Sequence, residues 1–399
     1  MTALEVRSSV SLASIFALRL LGLFLILPVF AVYAQSIPGG NDAMLVGLAL
    51  GIYGLTQGLL QIPFGAASDR WGRKPVITAG LIVFAVGSFI AALATDIGWT
   101  IAGRALQGAG AVSAAVTAFI ADATREEHRT KAMALVGGSV ALTFAGSLIL
   151  APLLYPVIGV RGLFALTGVL VVGAIGVLLW VVPAAPQITH HAAARTGEHA
   201  TRATFFNPQL LRLNAGIFIL HTVLMAMFIV VPVLLVERQG LPLAEHWKIY
   251  FPVVVLSLVL MWKPLMIAER RAMVRSLFIA SIVLVLIAQL GLLWLSDTLA
   301  WIALWLLVYF TGFNILEACL PSLVSRIAPA SATGLALGIY NTSQALGLFA
   351  GGVLGGAIVA LWSTAAVFVF AAVATAAWWL IALGMREVPV RTLPVPASV

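Results

Sequence analysis

Long apolar runs divide the chain into twelve segments of similar length. A helix that crosses a lipid bilayer needs about 20 mainly apolar residues. We number the twelve runs spans 1 to 12, and they lie at 12–34, 44–66, 75–95, 99–121, 132–154, 162–183, 210–236, 247–268, 273–295, 299–323, 332–360 and 362–385. The runs are apolar on all sides, whereas strands of a membrane barrel alternate over about ten residues. We therefore predict an all-α integral membrane protein.

Short polar turns join all of these spans except spans 6 and 7, which are separated by the longest polar stretch of the chain. The predicted organisation is an amino-terminal six-helix bundle at 1–183, a linker at 184–209, a carboxyl-terminal six-helix bundle at 210–385 and a tail at 386–399. A weak internal repeat agrees with two related halves, since a shift of 204 residues lays Ser139 over Ser343 and Leu142 over Leu346. Pseudo-symmetric halves are typical of secondary transporters, which bind substrate at the interface between them.

Composition supports the membrane assignment. The chain is 62% hydrophobic and 9% charged, whereas soluble domains are roughly one quarter charged. This excludes a water-soluble enzyme and a disordered chain. The single cysteine, Cys319, excludes a disulfide framework and a cysteine-based metal site. His190, His191 and His199 in the linker could suggest a metal tract, but we interpret them as part of a solvated tether and expect no bound metal.

The distribution of basic residues predicts the orientation of the chain. Sixteen of the 22 lysines and arginines fall in the turns on the side that carries both termini. The exceptions are Arg161, Arg238 and Lys248 on the other side, and Arg19, Arg104 and Lys263 within spans. The positive-inside rule then places both termini in the cytoplasm. Because the charges are spread over short turns, we expect no nucleic-acid partner.

Two sequence motifs carry a family resemblance. The turn after span 2 reads GAASDRWGRK over 65–74, and span 4 contains RALQGAGA over 104–111. They resemble the G-x-x-x-D-R-x-G-R-K and R-x-x-Q-G-x-G-A motifs of the major facilitator superfamily. The closest likeness is to its twelve-span drug:proton antiporters, in particular the YajR-type bacterial transporters, without their additional carboxyl-terminal cytosolic domain. One departure is Ala151-Pro152, where antiporters of this family usually carry a Gly-Pro pair.

The resemblance implies a function and a location. It predicts proton-coupled antiport that exports small amphipathic compounds or drugs across the bacterial inner membrane, by a monomer without a cofactor. No G-x-x-x-x-G-K-[ST] loop is present in the sequence, so we expect the proton gradient rather than ATP to drive transport. Proton symport, organic-anion export and, more remotely, a non-transporting receptor or scaffold remain alternatives.

The turn after span 2 is predicted to act as a conformational latch. Its members, with the acid at the end of span 4, are Gly65, Asp69, Arg70, Gly72, Arg73, Lys74 and Asp122. Gly65 would permit a close helix approach and Gly72 a tight turn. The resemblance implies that Asp69 meets the positive end of a partner helix, most plausibly span 11, and that Arg73 reaches Asp122. Together they would hold the cytoplasmic side closed.

Ionisable residues within the hydrocarbon core are the strongest functional candidates, because burying a charge there costs at least about 2.5–3.5 kcal/mol. Glu317 is the acid that lies well inside a span, and we predict that it carries the proton. Arg104 is expected to assist proton coupling through its motif. His221 is the alternative proton site, because histidine titrates near physiological pH.

Other polar residues within the spans are candidates for the substrate cavity. Tyr53, Gln57 and Gln61 repeat at intervals of four residues and therefore share one face of span 2. The full set of predicted cavity residues is Arg19, Tyr53, Gln57, Gln61, Gln107, Asn314, Tyr340, Asn341 and Gln344. Arg19 has an equally good structural interpretation, in which it bonds the backbone carbonyls of a neighbouring span.

Overall fold

The computed structural model describes residues 1–110, 112–183, 204–329 and 332–386. Its helices correspond to the predicted spans. Span 1 comprises Ala3–Phe24 and Leu27–Ala34, span 2 Ala43–Trp71, span 3 Arg73–Leu93, span 4 Ile97–Ala109 and Ser113–Asp122, spans 5 and 6 Glu126–Gly176 with a π-helical turn at Val177–Val181, span 7 Pro208–Glu237, span 8 Trp247–Arg270, span 9 Val274–Trp294, span 10 Leu299–Ile327, span 11 Thr333–Leu361 and span 12 Thr364–Leu383. A short 3-10 turn, Leu243–Glu245, precedes span 8. The all-α membrane fold is confirmed.

Local sequence sets several of the helix ends. The side chains of Asp42, Asp96 and Thr298 accept hydrogen bonds from backbone N–H groups in the first turns of spans 2, 4 and 10. Asn207 caps span 7 in the same way, and Pro208 occupies its first helical position. These caps satisfy donors that a helix start leaves without a partner. The predicted starts of these spans are therefore accurate to a few residues.

The helix Glu126–Gly176 contains two membrane crossings. Its 51 residues would extend about 77 Å at a rise of about 1.5 Å per residue, more than twice a hydrocarbon core of about 30 Å. Gly159 interrupts it with a non-helical backbone at φ 63° and ψ 179°. Just beyond, Arg161 donates a 2.8 Å hydrogen bond to the Ala94 carbonyl at the end of span 3. The Lys74 ammonium, at the other end of span 3, contacts the Val182 carbonyl.

The chain therefore reverses direction at Gly159. Eleven helices in the described residues are long and apolar enough to cross a membrane, and this division gives the twelve predicted spans. We refer to the face that holds the amino terminus and the turn between spans 2 and 3 as the terminal face. The opposite face, which holds Ala94 and Gly159, is the distal face.

Spans 2 and 11 form a close contact between the two halves near the distal face. A Cβ atom built on Gly47 would lie 2.1 Å from the Gly352 carbonyl oxygen, and one on Gly356 would lie 2.3 Å from the Ala43 carbonyl oxygen. Only glycine allows the two backbones to approach so closely. Gln35 and Glu237 add a 3.3 Å hydrogen bond across the same face. We call this glycine contact the distal seam.

The seam does not continue to the terminal face. Gly338 lies 14 residues before Gly352 on the same side of span 11, yet a Cβ atom there would meet nothing within 4 Å. On span 2, Gly65 would meet only Ala114, which belongs to its own half. Asp69, one turn further, is 63% exposed. Within the described residues, spans 2 and 11 are therefore in contact near the distal face and apart near the terminal face.

Parts of three predictions lie outside the described residues. They are most of the linker, at 184–203, the tail beyond residue 386, and Ala111 of the span 4 motif. Among the described residues, no group of three or more His, Cys, Asp and Glu side chains could hold a metal ion.

Candidate functional site

Glu317 on span 10 and His221 on span 7 lie next to each other. Glu317 Oε1 is 3.5 Å from His221 Nε2, and the side chains are 27% and 4% exposed, respectively. This separation exceeds a normal hydrogen bond. Oε1 is buried and has no hydrogen-bond donor among the described residues. The carboxyl group that we predicted as the proton carrier thus meets the alternative proton site directly.

Gln344 of span 11 completes this cluster. Its side-chain nitrogen lies 2.8 Å from His221 Nε2. The other ring nitrogen, Nδ1, is 3.2 Å from the Ile217 carbonyl oxygen, one turn earlier on span 7. The residues Glu317, His221 and Gln344, from spans 10, 7 and 11, are referred to below as the polar cluster.

An aromatic cluster lies on the distal side of Glu317. Phe313, one helical turn from Glu317, has its ring centroid 5.6 Å from that of Phe144 on span 5 of the other half. Phe144 also contacts Phe24 at 5.1 Å and Phe310 at 6.0 Å. The Phe313 ring further contacts the His221 ring at 5.9 Å. Large aromatic rings from both halves therefore pack together beside the polar cluster, on its distal side.

Arg19 and Arg104 are completely buried inside the amino-terminal half. Arg19 donates hydrogen bonds to the Gly110 carbonyl at 3.1 Å, to Ser113 at 2.6 Å and to Gln57 at 3.1 Å. The Gly110 carbonyl, at the break in span 4, also accepts a 2.8 Å hydrogen bond from the Val112 backbone N–H. The bond to the Gly110 carbonyl is of the kind that the structural interpretation of Arg19 describes, whereas the other two bonds are to side chains, one of them the predicted cavity residue Gln57.

Arg104 joins spans 1, 2 and 4. It donates hydrogen bonds to the backbone carbonyls of Gly22, Ala49 and Leu50 at 3.3–3.4 Å and to the Gln107 side chain at 3.0 Å. Both guanidinium groups also lie against the ring of Tyr53, at 5.0 Å for Arg104 and 5.6 Å for Arg19, in the geometry of a cation–π contact.

The span 4 motif therefore has a visible packing role. The side-chain nitrogen of Gln107 donates a 2.9 Å hydrogen bond to the Ser88 hydroxyl group of span 3. A Cβ atom on Gly108 would lie 2.1 Å from the Tyr53 carbonyl oxygen, so this glycine allows spans 2 and 4 to touch. In this conformation the motif holds the amino-terminal half together.

The predicted latch residues occupy the terminal face. Arg73 is 2.8 Å from Asp122 and also pairs with Asp69. Gly72 adopts a positive φ of 93°, which favours glycine. A Cβ atom built on Gly65 would make only an ordinary 3.5 Å contact with Ala114, so no close helix approach requires glycine at this position in this conformation. Arg70 is exposed and Lys74 half-buried.

The remaining cavity candidates divide into two groups. Tyr53, Gln61 and Gln107 are buried in this conformation, like Arg19. Partly exposed side chains are those of Gln57, Asn314, Asn341 and Gln344. Asn314 donates a 3.0 Å hydrogen bond to Ser257 of span 8, and Tyr340 is buried.

Sequence reasoning missed two features of the site. It did not identify the aromatic contacts of Phe144, although Phe310 and Phe313 lie on the same helix as Glu317. It placed Gln344 in the substrate cavity and did not foresee its contact with His221. Gln344 and His221 are 123 residues apart, so no local sequence pattern indicates their contact. The aromatic residues Phe310 and Phe313 lie close to Glu317 in the sequence and could have been identified.

Comparison with known proteins identifies the family. Residues 12–352 match the model of the Major Facilitator Superfamily. The chain belongs to the major facilitator superfamily. It is 41% identical to the inner membrane transport protein YajR of Escherichia coli (strain K12), over 98% of this chain and 85% of YajR. It is 27% identical to the multidrug resistance protein MdtH of Aeromonas hydrophila, over 86% of this chain and 85% of that protein.

Solved structures of the superfamily share the fold. A bacterial homologue of the human lysosomal transporter Spinster, in an inward-facing and unoccupied conformation, aligns with a TM-score of 0.74 at 14% identity, over 96% of this chain and 98% of that one. As a member of the superfamily, the chain is a membrane-embedded transporter of small molecules and not an enzyme.

Proposed function

We propose that this transporter exports small amphipathic compounds in exchange for protons, with Glu317 as the proton carrier. The observation that carries the proposal is the position of Glu317, partly exposed and 3.5 Å from His221. An acid within a span is costly, when one of its oxygens is buried without a hydrogen-bond donor, unless the group can exist in the neutral form. A carboxyl group of this kind can bind a proton on one side of the membrane and release it on the other.

The surroundings of Glu317 support alternating access. The aromatic cluster separates it from the distal face, through the contact of Phe313 with Phe144. On the terminal side, the facing helices are apart at Gly338. We propose that the terminal face is cytoplasmic, in the bacterial inner membrane, which makes this an inward-facing conformation. Rocking of the bundles 1–183 and 210–385 would then part the aromatic cluster and expose Glu317 to the other side.

The latch belongs to the opposite conformation. Asp69 and Gly65 lie on the side of span 2 that continues the distal seam, and Gly338 lies on the corresponding side of span 11. Closure of the terminal face would bring Asp69 towards the amino-terminal end of span 11, whose helix dipole attracts an anion. We propose that this contact stabilises the outward-facing conformation, with Arg73 holding Asp69 and Asp122 in place.

The proton gradient is sufficient for such an exchange. One charge crossing 100 mV gains about 2.3 kcal/mol, and each factor of ten in concentration requires about 1.4 kcal/mol. A neutral substrate exchanged for one proton could therefore be concentrated roughly fifty-fold. Organic-anion export is supported less well, because the donors of Arg19 and Arg104 are directed at protein acceptors and both side chains are buried.

A transport assay with Glu317→Gln tests the proposal. A thermal-shift screen of purified protein first identifies a substrate, which is then measured in proteoliposomes. We expect the variant to lose transport driven by a pH gradient but to retain substrate exchange, which needs no net proton movement. Glu269→Gln, an exposed acid at the end of span 8, is the matched control and should behave like the wild type. Unchanged pH-driven transport in Glu317→Gln would exclude Glu317 as the carrier, and the direction of coupled movement distinguishes antiport from symport.

A further inference from the structure

The contacts of His221 determine which of its ring nitrogens carries a hydrogen. The Ile217 carbonyl oxygen, 3.2 Å from Nδ1, can only accept a hydrogen bond, so Nδ1 must donate. In the neutral ring, Nε2 then has a lone pair and no hydrogen. The Gln344 amide nitrogen, 2.8 Å away, donates to that lone pair. His221 in this arrangement has no donor left for Glu317.

This arrangement explains why Glu317 Oε1 has no hydrogen-bond donor among the described residues. The group within ion-pair distance of it among the described residues is His221 Nε2, at 3.5 Å. That nitrogen could donate only if the ring were protonated, and it would then have to give up the hydrogen bond from Gln344. The Gln344 contact and a His221–Glu317 ion pair are therefore mutually exclusive.

We propose that Gln344 is a positioning residue for proton coupling: it holds His221 neutral and thereby keeps the Glu317 carboxyl group free to load and release a proton. The proposal rests on the proposed role of Glu317 as the carrier. The sequence predicted that Gln344 lines the substrate cavity, whereas this proposal assigns Gln344 to the proton site.

The position of Gln344 also connects the proton site to the distal seam. Span 11 packs closely on span 7 beside the polar cluster, since Thr222 donates a 3.1 Å hydrogen bond to the Gly347 carbonyl. A Cβ atom on Gly347 would lie 2.4 Å from the Phe218 carbonyl oxygen. Two turns from Gln344, the same helix forms the seam through Gly352. Any change in the hydrogen bond between Gln344 and His221 therefore acts on the helix that closes the distal face.

Few other charged or titratable groups lie on the elements packed against span 7. They are Tyr309, Glu317, Cys319 and Arg326 on span 10, Tyr340 on span 11, Tyr53, Asp69 and Arg70 on span 2, Tyr33 in the distal helix of span 1, and Glu245 in the turn before span 8. Span 12 carries none. Among the described residues, Glu317 is the one within ion-pair distance of the His221 ring.

Infrared titration of the Glu317 carboxyl group tests this role without a substrate. The carbonyl band of protonated carboxyl groups is followed against pH in purified protein in nanodiscs, and the part that Glu317→Gln abolishes is assigned to Glu317. Gln344→Met removes the donor at nearly constant volume, and Gln344→Asn keeps an amide that is too short to reach. We expect either variant to move the midpoint of the Glu317 band by about one pH unit or more, which corresponds to about 1.4 kcal/mol.

The same change in a His221→Phe background provides the decisive control. If Gln344 acts by restraining His221, adding Gln344→Met to His221→Phe should leave the midpoint unchanged. An equal shift in both backgrounds, or no shift in Gln344→Met and Gln344→Asn, would overturn the role of Gln344 while leaving Glu317 as the carrier. A band that persists unchanged in Glu317→Gln would instead refute the proposed function and this inference with it. Thermal melting of each variant confirms that it is folded.

Discussion

The distal seam provides a direct test of the observed conformation. Gly352→Ala adds one methyl group to span 11 where it meets span 2. The new Cβ atom would lie 2.4 Å from the Gly47 carbonyl oxygen and 2.8 Å from the Gly51 backbone. Ordinary contacts of a Cβ atom are 3.4–4 Å, so the two helices must separate by about 1 Å. These contacts are with backbone atoms, which cannot move aside as a flexible side chain would.

The structure sets the size of the expected effect. Overpacking a tight interface typically costs about 1–3 kcal/mol, and here the cost falls only on the state in which the distal seam is closed. The equilibrium should therefore shift by about 5- to 150-fold towards the distal-open state. Gly338→Ala is the matched control, because it lies on the same side of the same helix and its Cβ atom would meet nothing within 4 Å. Both changes replace a helical glycine, so the gain in helix propensity of about 1 kcal/mol cancels in the comparison.

Distances between spin labels can report this shift. Trp99 and Trp294 are exposed at the distal ends of spans 4 and 9, in opposite halves. Cysteines at these positions, in a background without Cys319, allow the distance distribution across the distal face to be measured. We expect a longer-distance population in Gly352→Ala and a wild-type distribution in Gly338→Ala. If the two variants give the same distribution, the seam does not control the distal opening.

Two further changes test the terminal face and the aromatic cluster. Asp69→Asn removes the ion pair with Arg73, which the proposed latch keeps in both conformations and which therefore does not shift their balance. It also removes the proposed helix-dipole contact, worth about 0.3–1 kcal/mol, from the terminal-closed conformation alone. Thiol labelling of Thr333→Cys should therefore show the terminal-open state favoured by about two- to five-fold, and unchanged labelling would count against the latch. Phe144→Ala should open a proton leak in proteoliposomes, whereas the partly lipid-exposed Phe89→Ala should not. Equal leakage in both variants would contradict the role of the aromatic cluster.

The sequence was sufficient for the features that depend on local pattern. Span lengths follow from bilayer thickness, and the caps Asp42, Asp96 and Thr298 mark the helix starts within a few residues. The positive φ of Gly72 agrees with the tight turn expected there. Helix lengths, caps and tight turns are set by short-range geometry. The contact of Arg73 with Asp122 joins residues 49 positions apart and was expected only from the family resemblance.

Long-range packing could not be predicted in the same way. Arg19 and Arg104 stand out in the sequence as charges in hydrocarbon, yet whether their donors point at a cavity or at backbone carbonyls depends on how spans 1, 2 and 4 pack. The contacts of Phe144 depend on the relative position of the two halves, which has no signature in either half alone. The partial exposure of Glu317 likewise follows from the conformation and not from its position in the span.

The two halves differ in the kind of charge they contain, and this difference assigns them different tasks under the proposed function. The amino-terminal half holds Arg19 and Arg104, which keep their protons at any physiological pH and bond helix backbones together. The carboxyl-terminal half holds His221 and Glu317, which can change charge. Under the proposed function, binding and release of the proton at Glu317 therefore alter contacts in the second half, among spans 7, 10 and 11. Span 11 also forms the distal seam with span 2. A change of charge in the carboxyl-terminal half can therefore alter how that half packs against the amino-terminal half. In this view coupling requires no rearrangement inside the amino-terminal bundle.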